Sequence, residues 1–322
     1  MRNKKKWLVT GSAGFIGSNL CETLLENAQD VIGLDNFSTG KQENINRINS
    51  NFTNFTFYKG SILDKNLLKE IMKDIDVVVH LAAQGSVQKS FSKPLWNNEH
   101  NINGFLNVLM ASHESNVKQF IYASSCSIYG DTDILPITES HSPNPLSPYA
   151  TSKLANDMYS ENLRDSLNPM NVCGLRFFNI FGSYQDPNGA YAAVIPKWVD
   201  DCIKNKQPII FSNGNQTRDF CHVKNVCNLI LNMPKKANGV FNISSGVSIS
   251  LNDLFLTIYR TIIKSGLELS FSSAHYEPAR AGDIMHSLGS SERAIRELNF
   301  SNNINLEDGI SFILKDQYDV SI

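Results

Sequence analysis

Trp7-Leu-Val-Thr-Gly11-Ser-Ala-Gly14-Phe-Ile-Gly17-Ser-Asn-Leu20 is the stretch whose reading decides the fold of this chain. The apolar run Trp7–Thr10 reads as a strand, and the glycines punctuate a turn. Ile16, Leu20, Leu24 and Leu25 then recur at helical spacing through Glu26. In a strand–turn–helix of this kind Gly11 permits a tight turn and Gly14 lets a pyrophosphate approach the backbone. Gly17 lets the helix pack close to the strand. Unpaired N–H groups at the start of the helix would face the phosphates. The spacing is G-x-x-G-x-x-G rather than the G-x-G-x-x-G of ordinary dehydrogenases, with the same mechanics. Asp35 ends the next apolar run, where an acid accepts the adenosine ribose hydroxyls and repels a 2′-phosphate. No Arg follows it closely and Lys41 is the nearest cation, so the expected cofactor is NAD rather than NADP.

Outward from this turn, short apolar runs alternate with helical patterns for about 180 residues. Trp7–Thr10, Asp30–Leu34, Phe55–Tyr58, Val77–Leu81, Phe120–Ser124 and Val172–Phe178 read as strands. The alternation predicts an α/β fold, a Rossmann-type doubly wound parallel sheet covered on both faces. Long helices are expected over Pro94–Ser115 and Pro148–Asp165, the second opening with Pro148 behind a capping Ser147. After Asn179 the texture changes, with loops rich in Gly, Asn and Pro. A helix is expected over Gly189–Asn205, strands over Ile209–Phe211 and Asp219–Val223, and a capped helix over Ser250–Lys264; Gly239-Val-Phe-Asn-Ile-Ser reads as one more strand. The expected division is an NAD-binding domain over 1–179 and a smaller α/β substrate lobe over 180–322, with a return to the sheet near 224–245.

Composition narrows the function. The chain has 322 residues, 42% hydrophobic and 19% charged, enough for one large core and a smaller lobe. A net charge of −2 gives no global electrostatic case for nucleic acid or membrane. No run of apolar residues is long enough to span a bilayer, and the basic start breaks at Thr10-Gly11-Ser12 before any signal-peptide core. The 6 Cys have no C-x-x-C pair or metal-ligand spacing and read as reduced thiols of a cytoplasmic protein; no metal is expected.

The chemistry sits in Ser147-Pro-Tyr149-Ala-Thr-Ser-Lys153, behind the serine pair Ser124-Ser125. Residues four apart share one helix face, so the Lys153 ammonium is expected beneath the Tyr149 phenol. A cation there favours the phenolate and draws its pKa down toward neutrality. Such a group removes a proton from an alcohol while hydride leaves for a nicotinamide.

Together these residues resemble the extended short-chain dehydrogenase/reductases, and within them the nucleotide-sugar 4-epimerases, from about Trp7 to Phe300. The markers are the glycine turn, Asp35-Asn-Phe37, His80-Leu-Ala-Ala83, Ser124-Ser-Cys-Ser-Ile-Tyr-Gly130, Tyr149-x-x-x-Lys153, Arg176-Phe-Phe-Asn179, Arg218-Asp219 and Arg280-Ala-Gly-Asp283. The stretch Phe181–Trp198 is similar to a narrower branch. That branch holds bacterial UDP-N-acetylglucosamine 4-epimerases serving surface polysaccharides, some preferring the uronic acid.

The resemblance implies that Tyr149 is the acid/base, with Lys153 its electrostatic partner and a nicotinamide-ribose ligand, while Ser125 contacts the sugar O4. It implies an NAD site of Gly11, Gly14, Phe15, Ile16, Gly17, Asp35, Asn36, Ser38, Thr39, Gly40, Ser61, Ile62, Leu81, Ala82, Ala83, Gln84, Tyr149, Lys153 and Phe177. It implies a UDP-sugar site of Gly85, Ser86, Ser125, Ser127, Tyr149, Asn179, Gln185, Ala193, Arg218, Arg280, Asp283 and Ser287, with the two arginines clamping the diphosphate. Cys126 and Ser127 stand where sugar 4,6-dehydratases carry Asp-Glu, which argues against dehydration. Ser287 falls where related enzymes vary a gatekeeping side chain, and a small residue leaves room for a 2-acetamido group. Ser61 replaces the usual Asp toward adenine, and Lys89 stands where close relatives often have Arg. A homodimer through the two long helices is implied. UDP-glucose or UDP-glucuronate epimerisation and UDP-glucuronate decarboxylation stay open, as does an alcohol or carboxylate at C6. A non-catalytic NAD-binding protein is disfavoured, because such relatives lose the Tyr or the Lys and this chain keeps both.

Overall fold

The computed structural model describes residues 4–188, 192–279 and 285–320. Strands and helices alternate as β1 (Lys6–Thr10), α1 (Phe15–Glu26), β2 (Asp30–Asp35), α2 (Gln42–Asn51), β3 (Phe55–Lys59), α3 (Lys65–Ile71) and β4 (Val77–His80). Then come α4 (Val87–Ser92), α5 (Pro94–Asn98), a π-helical turn Glu99–Asn103, α6 (Gly104–Glu114), β5 (Gln119–Ser125), a 3₁₀ turn Cys126–Tyr129, α7 (Pro148–Asn162) and β6 (Asn171–Phe177). The remainder holds β7 (Asn179–Phe181), α8 (Val194–Ile203), β8 (Ile209–Phe211), β9 (Thr217–His222), α9 (Val223–Asn232), β10 (Gly239–Ile243), β11 (Ser248–Ser250), α10 (Leu251–Lys264), β12 (His275–Glu277), α11 (Glu292–Leu298) and α12 (Leu306–Tyr318).

The main sheet runs β10-β6-β5-β4-β1-β2-β3, every neighbouring pair parallel. This is the doubly wound plan expected from the alternation. Because both faces are covered, the strands are apolar on both sides. Trp7, Val9, Val31, Val79 and Ile121 pack on one face with Leu20 and Leu24 of α1 and Val226 and Ile230 of α9. Leu8, Ile32, Val78 and Phe120 pack on the other with Leu68, Phe105, Val108 and Leu109. β10 joins the sheet beside β6 through Gly239↔Cys173 to Ile243↔Phe177. A third core, including Trp198, Ile210, Phe255, Ile258 and Ile313, lies among α8, α10 and α12.

Local chemistry sets the element ends. Ser147 caps α7 by accepting the Ala150 N–H at 3.1 Å, with Pro148 in the first turn, and Ser250 caps α10 through Asp253 N–H at 3.0 Å. Four expectations shift. The helix read over Pro94–Ser115 is interrupted by its π-helical turn, where buried Asn101 is drawn to the Gln84 backbone. α7 stops at Asn162, so Asp165 lies in the turns beyond it. α8 begins at Val194 and ends at Ile203, and residues 189–191 lie outside the described residues. β9 ends at His222 because the His222 ring accepts the Lys224 N–H at 3.3 Å and caps α9, leaving Val223 to the helix.

α7 is fastened to the sheet by a buried polar chain. Asp157 accepts from Tyr122 Oη at 3.0 Å and from Arg176 Nε at 2.9 Å. Arg176 Nη1 donates to Tyr129 Oη at 2.7 Å, and Tyr129 donates to Asn242 Oδ1 at 2.7 Å. The ion pair is nearly sealed, with side chains 10% and 5% exposed. Removing one member of such a pair leaves the other charge buried and unpaired, at a cost of about 3–5 kcal/mol. Arg176→Met is therefore expected to lower stability by about that much. Urea unfolding checks this, and a loss below about 1 kcal/mol would show the pair to be dispensable.

Candidate active site

The glycine turn forms one wall of a cleft. Gly11 has φ +72°, and a Cβ there would lie 2.8 Å from the Ala82 nitrogen. A Cβ on Gly17 would lie 2.1 Å from the Gly11 carbonyl oxygen, so strand, turn and helix meet at van der Waals limit. α1 starts at Gly14 with no side-chain cap and no acid in its first turn, leaving its leading N–H groups for a ligand. The cleft is lined by Gly11, Gly14, Asp35, Asn36, Ser38, Thr39, Ile62, Leu81, Ala82, Ala83 and Gln84 among the expected residues. Leu34, Gly60, Trp96 and His100 line it too and were not anticipated. Trp96 and His100 lie four apart with ring centroids 4.9 Å apart and planes tilted by 51°, a spacing that marks a shared helix face but not a cofactor cleft.

Asp35 is 9% exposed, and burial pushes its pKa up against the N–H bonds that oppose this. Ala13 N donates to its Oδ2 at 3.0 Å and Phe37 N to its Oδ1 at 2.7 Å, which ties the acid to the glycine turn. Each carboxylate oxygen keeps a further lone pair for a ribose hydroxyl. Gly40 packs against Ala13 and Asp35. Gln84 has its backbone held both ways by Asn101, at 2.7 and 3.1 Å, while its Nε2 is buried without a partner. An orphan donor, a glycine cradle and a bare helix start suit a dinucleotide rich in acceptors. Asn101 also donates to Ser152 Oγ at 3.1 Å, linking this wall to α7. Of the residues expected in the cofactor site, Phe15, Ile16, Gly17, Gly40, Ser61, Tyr149, Lys153 and Phe177 do not line the cleft; Ser61 Oγ accepts the Leu63 N–H.

The proposed chemistry sits in a second cluster, whose residues are not among those lining the cleft. Ser125 ends β5, and Cys126 and Ser127 open the 3₁₀ turn after it, all three half-buried. Tyr149 lies in the first turn of α7, and the Ser125 hydroxyl works to lower the pKa of its phenol. Lys153, one turn on, is 4% exposed; its Nζ donates to the Ala123 carbonyl at 2.7 Å and lies 5.9 Å from the Tyr149 ring centroid. Here the expectation about acidity needs correcting. Burial pushes Tyr149 up to about 12, opposed by the Ser125 hydroxyl, and the ammonium does not draw it toward neutrality. The reason is geometric: Lys153 is spent on a backbone carbonyl, and burial brings it down to about 8, with the Asp157 charge working the other way. The Cys126 thiol is raised by burial and by Asp219 to about 12, so it stays neutral.

Beyond Tyr149 the chain brings several other expected residues together. Asn179 Nδ2 donates to the Asp219 carbonyl at 2.8 Å. Asp219 is fully buried and accepts from Ser245 N and Oγ, Gly246 N and Gly289 N, fastening β9 to the segment that carries Ser287. Arg218 Nη1 donates to the Thr217 carbonyl at 2.8 Å, and Ser287 N pairs with the same carbonyl at 3.1 Å. Gln185 has a buried Oε1 without a partner. Ser86 caps α4, Gly85 has open space around it, and Ala193 is exposed at the start of α8. Arg280 and Asp283 lie outside the described residues. Among the described residues no cluster of His, Cys, Asp or Glu could hold a metal ion, and no helix is long and apolar enough to cross a membrane.

Comparison with known proteins places this geometry. Residues 7–244 match the model of the NAD dependent epimerase/dehydratase family. A Methanocaldococcus jannaschii protein provisionally named UDP-glucose 4-epimerase is 37% identical over 310 residues, 95% of this chain and 96% of its own. The solved UDP-N-acetylglucosamine 4-epimerase of Methanobrevibacter ruminantium, in complex with UDP-N-acetylmuramic acid, superposes with a TM-score of 0.88. It is 34% identical and covers 97% of this chain and 99% of that one. The UDP-glucose 4-epimerase of Thermotoga maritima with UDP-glucose gives 0.87 at 32% identity, over 98% and 99%.

The buried ammonium makes a prediction that is independent of turnover. Folding lowers Lys153 from 10.5 to about 8, so the unfolded chain holds more protons between those values. The cost of burying the charge is full below about pH 8 and fades as pH rises toward 10.5. Lys153→Met is expected to stabilise the fold at pH 7 by on the order of 2–3 kcal/mol, with the gain shrinking by pH 10. Urea unfolding at both pH values tests it, and a destabilised variant at pH 7 would contradict it.

Proposed function

Because the chain belongs to the NAD dependent epimerase/dehydratase family, with NAD as its cofactor, we propose that it inverts C4 of a UDP-N-acetylhexosamine. The substrate pair is UDP-GlcNAc and UDP-GalNAc or the corresponding uronic acids, converted for surface polysaccharide synthesis in the cytoplasm. One observation carries the reading: Tyr149 and Lys153 stand one helical turn apart, with the buried ammonium 5.9 Å from the phenol ring. The small Ser287, paired through its backbone beside Arg218, supports room for a 2-acetamido group. Neutral Cys126, where a dehydratase carries an acid, supports epimerisation over elimination.

Gly11, Gly14 and Gly17, the α1 N–H groups, Asp35, Ala82, Gln84 and Lys153 would hold the dinucleotide. Bound there, NAD would supply reversible hydride acceptance for oxidation and re-reduction at the sugar C4. Tyr149 accepts the O4 proton as its phenolate and later returns it. Ser125 donates to that oxygen and stabilises its charge. Lys153 keeps a positive charge within reach of the same group. Asn179 and Arg218 grip the diphosphate, and so leave the sugar ring free to turn between the two half-reactions. General-base help of this kind is worth roughly 10²–10⁴ in rate.

A homodimer fits the same reading. Met158 and Tyr159 of α7 and Met110 of α6 are 55%, 42% and 38% exposed, apolar side chains on the two helices expected to pair. Light scattering at micromolar concentration is expected to give twice the chain mass, and a monomer would remove this part of the proposal.

The activity test follows the anomeric NMR signals of UDP-GlcNAc, its uronic acid and UDP-glucose with the purified protein. A galacto product is expected from the first two and much less from the third. Tyr149→Phe is expected to cut kcat at least 10²-fold while UDP-sugar affinity stays within about threefold. Ser287→Tyr is expected to suppress the acetamido substrates selectively. A wild-type protein that turns over none of the three sinks the reading.

A further inference from the structure

Three side chains from around the glycine turn, Asn19, Lys41 and Arg47, reach across to one short stretch of the connection after β7. Asn19 Nδ2 on α1 donates to the Ser183 carbonyl at 2.9 Å. The Arg47 guanidinium on α2 lies 3.4 Å from the Tyr184 ring centroid, in close stacking on its face. Lys41 Nζ meets Asp186 Oδ1 at 2.9 Å. Lys41 is the nearest cation after Asp35 in the chain, and its charge is committed here.

Both sides of this contact are anchored. Arg47 is held by the two oxygens of Glu22, at 2.6 and 3.2 Å, and by Asn44 Oδ1 at 2.9 Å. Asn44 Nδ2 in turn donates to the Ala13 carbonyl at 2.9 Å, and the Lys41 N–H reaches the same carbonyl at 3.0 Å. Both cations therefore stand on the glycine turn. On the other side Ser183 Oγ donates to Asp316 Oδ2 at 2.8 Å, and Gln317 Oε1 accepts the Tyr184 N–H at 2.8 Å, which fastens the stretch to α12. Tyr184 sits at φ +68°, a left-handed backbone that bulky side chains avoid. Such a residue persists where its surroundings over-determine it, as the Gln317 bond and the Arg47 stack do.

Between Asp35 and Lys41 the chain lines the cofactor cleft with Asn36, Ser38 and Thr39. An outward swing of this segment with α2, which widens the cleft, breaks the Lys41–Asp186 pair and slides Arg47 off Tyr184. The pair is 44% and 43% exposed and contributes little alone, so the stacked guanidinium carries more of the contact. In an epimerase one NAD must serve both half-reactions, and its loss between them leaves the reaction unfinished. We propose that Arg47 and Lys41 close a clasp on Tyr184 and Asp186 that retains NAD through the catalytic cycle. This deepens the epimerase reading and rests on it for its purpose, while the clasp itself requires only the dinucleotide.

The test measures NAD release. Protein loaded with NAD is diluted into buffer, and the nucleotide still bound is measured after timed filtration. Tyr184→Asn removes the ring and keeps a residue suited to the left-handed backbone. Asp186→Asn removes the charge and keeps the oxygen that accepts the Asn188 N–H at 2.9 Å. Release is expected to be about fivefold faster in Tyr184→Asn, about twofold to threefold faster in Asp186→Asn, and at least about tenfold faster in the two together. Lys41→Met is expected to match Asp186→Asn, and joining those two is expected to add nothing, as for partners in one contact. A Tyr184→Asn/Asp186→Asn protein that releases NAD within about twofold of wild type overturns the clasp. Urea midpoints of the NAD-free variants are expected to stay near wild type. A fall in midpoint in step with the release rates would assign the effect to a loosened fold and overturn the clasp as well. Because release is read without turnover, a wild-type protein inactive on every UDP-sugar sinks the epimerase reading alone.

Discussion

A carboxylate and a guanidinium buried together between α7 and the sheet hold this molecule's working parts in place. Asp157 and Arg176 would each be costly alone in that environment. Paired, and with Tyr122, Tyr129 and Asn242 satisfying what remains, they turn a helix resting on a sheet into one with a fixed rotation. An apolar seam permits small slides of packed side chains. A chain of directed hydrogen bonds does not. Since Tyr149 and Lys153 ride the same helix as Asp157, their facing is set by a contact that touches neither substrate nor cofactor.

The second consequence of burial is a tension at the phenol itself. Enclosure favours the neutral forms of both Tyr149 and Lys153, the reverse of what proton abstraction needs. The protein opposes this with a short list of dipoles, chiefly the Ser125 hydroxyl and the Asp157 charge. Cys126 shows the same enclosure without any opposing donor of comparable weight: its thiol is driven up and becomes inert packing. Enclosure drives both groups to about 12, and what sets the phenol apart from the thiol is the ammonium one helical turn away.

Much of this could be read before any coordinates. Periodicity and glycine placement were enough for β1 to β6 and for the doubly wound order, because a buried parallel strand is a run of apolar residues and little else looks like one. Ser147-Pro148 and Ser250 announced their helices because capping chemistry is local. What escaped depended on contacts distant in the chain. The π-helical turn at Glu99–Asn103 coincides with Asn101 bonding the Gln84 backbone, and Trp96 and His100 line the cleft beside it. The Lys153 ammonium was expected beneath the phenol from helix spacing alone, yet the carbonyl of Ala123, on a neighbouring strand, takes its hydrogen bond. The early end of β9 at His222 likewise reflects a ring nitrogen that caps a helix, a role residue type does not advertise.

The strand Gly239–Ile243 pairs with β6 at the margin of the sheet, and Asn242 within it receives the Tyr129 phenol. Order of synthesis and order of function therefore differ. A ribosome delivers the nucleotide-binding turn long before it delivers β10, the support behind the reactive helix. Until then β6 is an open margin able to pair with a stray strand from a neighbouring chain, and Tyr129 has no resident acceptor. Nascent chains stalled before that point are the form of this protein most exposed to aggregation, and the form in which chaperone contact has most to protect.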